Sequence, residues 1–352
     1  MKRWLKGLLG VLALLLMLTG CANPADKKKE AESSASSSDK PYAGQTLNVV
    51  ATSDKYTKLF DRFTEQTGAK VEFLSMSSGE VISRTKAEGQ PMADLWFGGG
   101  LDAFLSADQD GLLEHYVSPN AKDVDAAYKD KDGAWIAKGI TVAGFLVNND
   151  VLKEKGLDVP KTWDDLAKPE YKGEIIMSNP AISGTNYAVV KGLLDAKGEK
   201  DGWKYLEALN QNIDFYSKRG KDPQEKTVQG EFAIGIIPVD NSAFKVAKDN
   251  NLTVVYPDAI PWVPEGVAIF KGSEHTDIAK AFEDFMLTKD AQKIIADVDG
   301  KDTAQIVVPN VEGLSLGLPK DKLIKEDLST FGSQRSDILD HFKQIAQDKA
   351  EE

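Results

Sequence analysis

The chain has 352 residues, with 55 acidic against 43 basic side chains and a formal net charge of −12. That balance excludes nucleic acid as a partner, because neutralising phosphates takes an excess of Lys and Arg. One cysteine, Cys21, excludes a disulfide framework and a thiolate metal cluster. An anion bound by so acidic a chain has to be held by a local site.

The N-terminal stretch 1–20 reads as an export signal. Lys2, Arg3 and Lys6 precede an apolar core, Leu8–Leu18, that is too short for a stable membrane span. It ends in Leu18-Thr19-Gly20-Cys21, which resembles the lipobox of bacterial lipoproteins. That resemblance implies acylation of Cys21 and a lipid anchor on the outer face of the bacterial cell membrane. Residues 21–40 are polar and hold Ser33–Ser38, too little apolar surface to fold, so they read as a flexible tether. The folded part begins near Pro41 and is long enough for two domains.

Gln45–Ala51 reads as a buried strand. Thr52 and Ser53 follow, then a helix over Tyr56–Thr67 with Leu59, Phe60 and Phe63 as its apolar stripe. Lys70–Leu74 is a second strand, Met76–Glu80 a turn, and Val81–Glu88 a helix. Ala93–Phe97 is a third strand, running into Gly98-Gly99-Gly100 and a helix from Leu101 to about Gln109. This alternation predicts an α/β fold with a mainly parallel sheet, in which ligands lie beyond the carboxyl ends of the strands. Small residues stand at three such ends: Thr52/Ser53, Ser77/Ser78 and Gly98–Gly100. Each reads as a helix cap or packing turn, or as a ligand contact.

Trp135–Asn148 is a long β-rich run, Asp150–Lys155 a short helix, and Thr162 caps another. The stretch Ile175–Tyr187 then ends an apolar run in small residues and starts a helical pattern. Ser183 and Thr185 are N-cap candidates, and Gly184 permits close approach of the backbone. The first amides of such a helix lack internal partners and carry the positive end of its dipole, which suits an anion. Helices over Tyr187–Asp195 and Trp203–Gln211 follow. Ile213–Tyr216 is predicted as a strand ending in Ser217-Lys218-Arg219-Gly220, and Pro223–Gln229 as a helix. Phe232–Ile237 is a strand ending in Pro238-Val239-Asp240-Asn241. After a strand at Leu252–Tyr256, Pro257–Phe270 reads as a second crossing segment containing Asp258 and Trp262. Helices at His275–Leu287 and Asp290–Ala296 and a largely helical tail over Leu323–Lys349 complete the chain.

Several motifs occur in order: Asp94-Leu95-Trp96-Phe97-Gly98-Gly99-Gly100, Gly111-Leu112-Leu113-Glu114, Pro160-Lys161-Thr162-Trp163-Asp164-Asp165-Leu166, Tyr171-Lys172-Gly173, Ser183-Gly184-Thr185 and Gly230-Glu231-Phe232-Ala233-Ile234-Gly235. Over about residues 45–300 the chain resembles the substrate-binding proteins of ABC importers, in the ferric-iron/phosphonate/sugar-phosphate group. The resemblance implies the type II periplasmic-binding-protein fold, two α/β lobes joined by crossing strands with the ligand cleft between them. Lobe one would be 41–140 plus 260–315 and lobe two 141–259, with C-terminal helices of 316–352 packed across both. It also implies a monomer that delivers its solute to a membrane permease and an ATPase, with no cofactor. No Gly-x-Ser-x-Gly, His-Glu-x-x-His or Walker pattern is present, so no enzymatic activity is expected. A surface adhesin remains a rival role.

Iron-binding members of that group resemble one another in an adjacent tyrosine pair, where this chain reads Pro238-Val239-Asp240-Asn241; no two of its nine tyrosines are adjacent. His115, His275 and His341 read as surface residues. No direct ferric site is therefore expected and no metal ligands are assigned, while a carboxylate-bound or chelated metal stays open. What remains is hydroxyls and glycine amides at strand ends, which hold phosphate without net positive charge. The expected ligand is a small anionic solute, an organophosphate or phosphonate such as a hexose phosphate or 2-aminoethylphosphonate. Thr52, Ser53, Ser78, Gly99, Gly100, Ser183, Gly184, Thr185 and Arg219 would meet the anion. Asp240, Asn241 and Asp258 would take hydroxyls or an amine, and Trp262 would stack on a sugar or apolar face. A ferric (or chelated) ion or a polyamine is the alternative ligand.

Overall fold

The computed structural model describes residues 40–299, 305–311 and 319–350; the expected export signal, Cys21 and all but the last residue of the expected tether lie outside the described residues. In chain order the strands and α-helices are β1 (Thr46–Ala51), α1 (Thr57–Thr67), β2 (Lys70–Ser75), α2 (Ser78–Glu88), β3 (Leu95–Gly100), α3 (Leu101–Gln109), β4 (Leu113–Glu114), β5 (Ile136–Asn148), α4 (Asn149–Lys155), α5 (Trp163–Leu166), β6 (Ile175–Ile176), α6 (Gly184–Lys197), α7 (Glu199–Asn210), α8 (Asp222–Val228), β7 (Ile234–Pro238), α9 (Asn241–Asp249), β8 (Leu252–Val255), β9 (Trp262–Phe270), α10 (Thr276–Met286), α11 (Lys289–Asp299), β10 (Gln305–Ile306) and α12 (Arg335–Ala346). The apolar stripe of α1 does what its spacing predicts. Leu59, Phe60 and Phe63 are buried, with Phe60 edge-on to Phe97 at 5.6 Å and Phe63 edge-on to Phe282 at 5.1 Å. Each such ring contributes roughly 1.5–3 kcal/mol on burial.

The strands run in the order β2-β1-β3-β9-β5-β7-β6, with β4 on β9 and both β8 and β10 on β5. β1 pairs in parallel with β2 and β3, and β6 with β7, whereas β5 and β9 run antiparallel to their neighbours. The sheet is therefore mixed rather than mainly parallel, because the two long strands β5 and β9 run against their neighbours, and β5 alone pairs in both halves of the structure. β5 makes the passage within one element. Its residues from Ile136 to Val142 pair with β9, and those from Ala143 to Val147 pair with β7. The two halves belong to different sheets, and the cleft opens where β5 passes from one to the other.

Four local expectations differ from the structure. Ile213–Tyr216 is no strand: Ile213 makes one isolated bridge to Ile175 and Ser217 one to Ser178, and between them the Tyr216 amide donates to the Lys349 carbonyl at 2.8 Å. Gly98–Gly100 belong to β3 instead of a following turn. In the tail, only α12 is a full α-helix; before it, Leu323 bridges Ile260 and the Trp262 indole donates to the Ile324 carbonyl at 2.8 Å. His341, expected at the surface, stacks on Trp203 with ring centroids 3.9 Å apart.

Candidate ligand cleft

A cleft of about 880 Å³ opens among the ends of β1, β3 and β7, the starts of α2 and α6, and the 218–221 loop. One part of its wall is backbone and hydroxyl. Ser53 caps the short turn after β1, Ser77 caps α2 and Ser183 caps α6, each accepting from a first-turn amide. Gly100 stands at the start of α3 without a side-chain cap. The segments press together. The Gly79 amide donates to the Ile182 carbonyl at 3.3 Å, and a Cβ on Gly184 would lie 2.6 Å from the Gly100 nitrogen. Gly99 has φ +112°, and a Cβ there would lie 2.8 Å from the Ser78 Cβ. Only glycine brings these helix starts so close, and with them the positive ends of their dipoles. Lys218, Arg219 and Lys221 add cationic side chains nearby, on a loop fixed by the Ser178 hydroxyl donating to the Arg219 carbonyl at 2.8 Å.

The other part of the wall is a chain of charges. Lys55 Nζ donates to Asp240 Oδ2 at 2.8 Å and lies 2.8 Å from Asp299 Oδ1. Lys138 Nζ pairs with Glu265 Oε2 and, at 3.1 Å, with Asp299 Oδ2. The Tyr56 hydroxyl donates to Asp299 Oδ1 at 2.7 Å, and Thr141 Oγ1 to Glu265 Oε1 at 2.6 Å. Burial pushes the Asp299 carboxyl up, but the ammoniums of Lys138 and Lys55 outweigh it and hold the group down to about 2. Burial likewise works against the Lys55 ammonium, and Asp299 and Asp240 overcome it, so its pKa sits above the ordinary lysine range.

Of the candidate residues, Thr52, Ser53, Ser78, Gly99, Gly100, Ser183, Gly184, Thr185, Arg219 and Asp240 line this one cleft. Asp240 arrives already engaged: its Oδ1 caps α9, accepting from the Ser242 and Ala243 amides at 2.9 and 3.1 Å, while Oδ2 takes Lys55. Asn241, Asp258 and Trp262 are not among the lining residues. Asn241 is exposed as the first residue of α9, and Asp258 accepts from the Trp163 amide at the start of α5. Trp262 is held by the C-terminal segment, its amide donating to Glu326 and its indole to Ile324. The sequence reading missed Lys55, Tyr56, Lys138, Thr141, Glu265 and Asp299. Lys138 and Glu265 left a trace, each being a charge inside an apolar β-run, where an unpaired charge is costly. Asp299 left none.

The bacterial extracellular solute-binding protein family matches residues 90–315. An uncharacterized protein of Haemophilus influenzae is 30% identical over 294 residues, 80% of this chain and 84% of that one. The periplasmic binding protein AfuA from Actinobacillus pleuropneumoniae, solved with fructose-6-phosphate bound, superposes with a TM-score of 0.80 at 29% identity, covering 87% of this chain and all of AfuA. The Fe(3+)-binding periplasmic protein of Serratia marcescens is 29% identical over 247 residues, 67% of this chain and 71% of that protein. Fold and cleft together define a two-lobed binding protein of the type II periplasmic class. The chain belongs to the bacterial extracellular solute-binding protein family, whose members serve ABC importers alongside a permease and an ATPase.

Proposed function

We propose that this protein captures a small phosphate ester or phosphonate, such as a hexose phosphate or 2-aminoethylphosphonate, and hands it to its permease. One observation carries the reading: the starts of α2, α3 and α6, with their hydroxyls and close-packed glycines, face a single cleft beside Lys218, Arg219 and Lys221. Such convergence holds a phosphoryl group in a chain whose net charge is acidic. The likeness to AfuA, whose structure contains fructose-6-phosphate, supports it. In this reading residues 41–140 and 260–315 form lobe one, 141–259 form lobe two, and the C-terminal segment ties the two. The ligand bridges them and favours closure by its differential affinity. The protein is a monomer, exported and held at the outer face of the cell membrane through acylated Cys21; among the described residues no helix is long and apolar enough to cross a membrane.

A thermal-shift screen of the chain from Ala22 onward tests this. A ligand at a hundred times its dissociation constant stabilises by about 2.7 kcal/mol. Glucose 6-phosphate or 2-aminoethylphosphonate should shift the melt, and Ser183→Ala with Thr185→Ala should cost roughly 1–3 kcal/mol of binding by calorimetry. A melt moved by ferric citrate or spermidine and by neither phosphorus compound would give the site to the alternative cation or chelate ligands.

A further inference from the structure

The carboxylates on the charged part of the cleft wall are already matched with cations of the chain itself. Asp240, Glu265 and Asp299 face Lys55 and Lys138, three acids against two bases. Lys138 has a side chain 2% exposed, lies 4.7 Å from the Tyr56 ring centroid, and is fixed in place. Lys55 differs. Its side chain is 30% exposed, it borders the cleft, and its ammonium joins Asp240, which follows β7, to Asp299, at the end of α11. Asp240 spends Oδ1 on two amides, so its route to a ligand passes through Oδ2, where Lys55 sits.

We propose that Lys55 is a specificity-determining residue: a built-in counter-cation that makes the cleft accept an anionic solute whose far end is neutral and hydroxyl-bearing, and reject one whose far end is an ammonium. This rests on the phosphoryl-ligand reading above and narrows it: of the two examples named there it keeps the hexose phosphate and drops 2-aminoethylphosphonate. An incoming ammonium has to evict one cation from Asp240 only to replace it with another, and the displaced lysine stays within repulsive range. A hydroxyl needs no eviction. Two of the three Lys55 N–H bonds go to carboxylates, which leaves one for an acceptor, and a hydroxyl donates as well as accepts. The acidic residues thus do not mark an amine site while Lys55 is present.

Calorimetry on the mature chain with a matched pair, 2-hydroxyethylphosphonate and 2-aminoethylphosphonate, reads this directly. Wild type should bind the hydroxyl compound at least about tenfold more tightly, Lys55→Met should narrow or invert that ratio by about tenfold, and Lys55→Arg should keep it. Equal wild-type affinities would overturn the proposal, as would a Lys55→Met variant that weakens both probes alike, since Lys55 would then serve the phosphonate. If wild type binds neither phosphonate nor glucose 6-phosphate, the phosphoryl reading fails, and putrescine, which has ammonium groups and no phosphorus, still decides the role of Lys55. Folded Lys55→Met and Lys55→Gln should both gain putrescine binding that wild type lacks. No gain in either sinks the inference.

Discussion

The two parts of the cleft wall reach polarity by opposite routes. The first is neutral, made of hydroxyls, glycines and helix starts around Thr52, Ser53, Ser78, Gly99, Gly100, Ser183 and Gly184. Its dipoles come with the backbone, and the hydroxyls of Ser53, Ser77 and Ser183 are already engaged as caps, so losing one leaves the rest in place. The second is charged, built by Lys55, Lys138, Asp240, Glu265 and Asp299 from five separate stretches of chain. Its members are taken partly or wholly out of water, a cost that is offset only while each keeps its partners. The first part should therefore degrade by increments, and the second by breakage.

Lys138→Met tests the breakage and carries the largest expected effect. It leaves Glu265 and Asp299 each short of a cation inside the protein and should cost about 3–5 kcal/mol in urea denaturation. A loss under about 1 kcal/mol would mean water already reaches these acids and the contrast is false. Gly184→Ala is the neutral part's worst case, because the obstacle is backbone. The new Cβ would meet the Gly100 nitrogen at 2.6 Å and its Cα at 2.7 Å, atoms that cannot swing aside. Overpacking of this kind costs about 1–3 kcal/mol. It should also weaken glucose 6-phosphate by calorimetry, since the start of α6 moves away from β3; unchanged affinity would place the anion elsewhere.

The same contrast explains what the sequence made legible. The neutral part is local. A strand, a small residue and a helix start are consecutive, so Thr52/Ser53, Ser78 and Ser183–Thr185 stand out from periodicity and capping alone. Even there a one-residue slip occurred, as Ser77 and not Ser78 caps α2. The charged part is tertiary. Lys55 and Asp299 are 244 positions apart in the chain's own numbering and meet only because α11 packs beside the turn after β1. No spacing rule connects them. Trp262 failed for a related reason: the C-terminal segment 323–326 claims its indole and its amide, and nothing in the Pro-Trp motif announces that contact. The crossing strands were legible as long apolar runs, but not their antiparallel pairing, which depends on how many times the chain passes between lobes.

Ser183→Ala sharpens the neutral side with a smaller effect. The hydroxyl accepts from the Asn186 amide at 3.4 Å and from its side chain at 3.1 Å. Losing this cap should cost about 1 kcal/mol of stability, read as a lowered Tm of the ligand-free chain. A drop as large as that of Lys138→Met would show that the neutral part is as brittle as the charged one.

The smallest effect is one of shape in the pH curve, and it separates the parts most cleanly. Asp299 is held at about 2 in the folded chain against an ordinary 3.8, with Lys55 among the causes. A folded-state pKa below the unfolded one stabilises above the unfolded value, and that stability is lost as pH falls through the folded value. The window here runs from about 4 down to about 2. Lys55→Met removes part of the depression, so the variant should be less stable than wild type above pH 4, and the gap should close as the pH approaches 2. Ser183→Ala removes no titrating partner, so its curve should run parallel to wild type over the same range. Urea midpoints at half-unit steps from pH 5 to pH 2.5 decide the matter. Two parallel curves would mean that Lys55 does not reach Asp299 in solution, and the charged part would then be no more cooperative than a row of separate surface ion pairs.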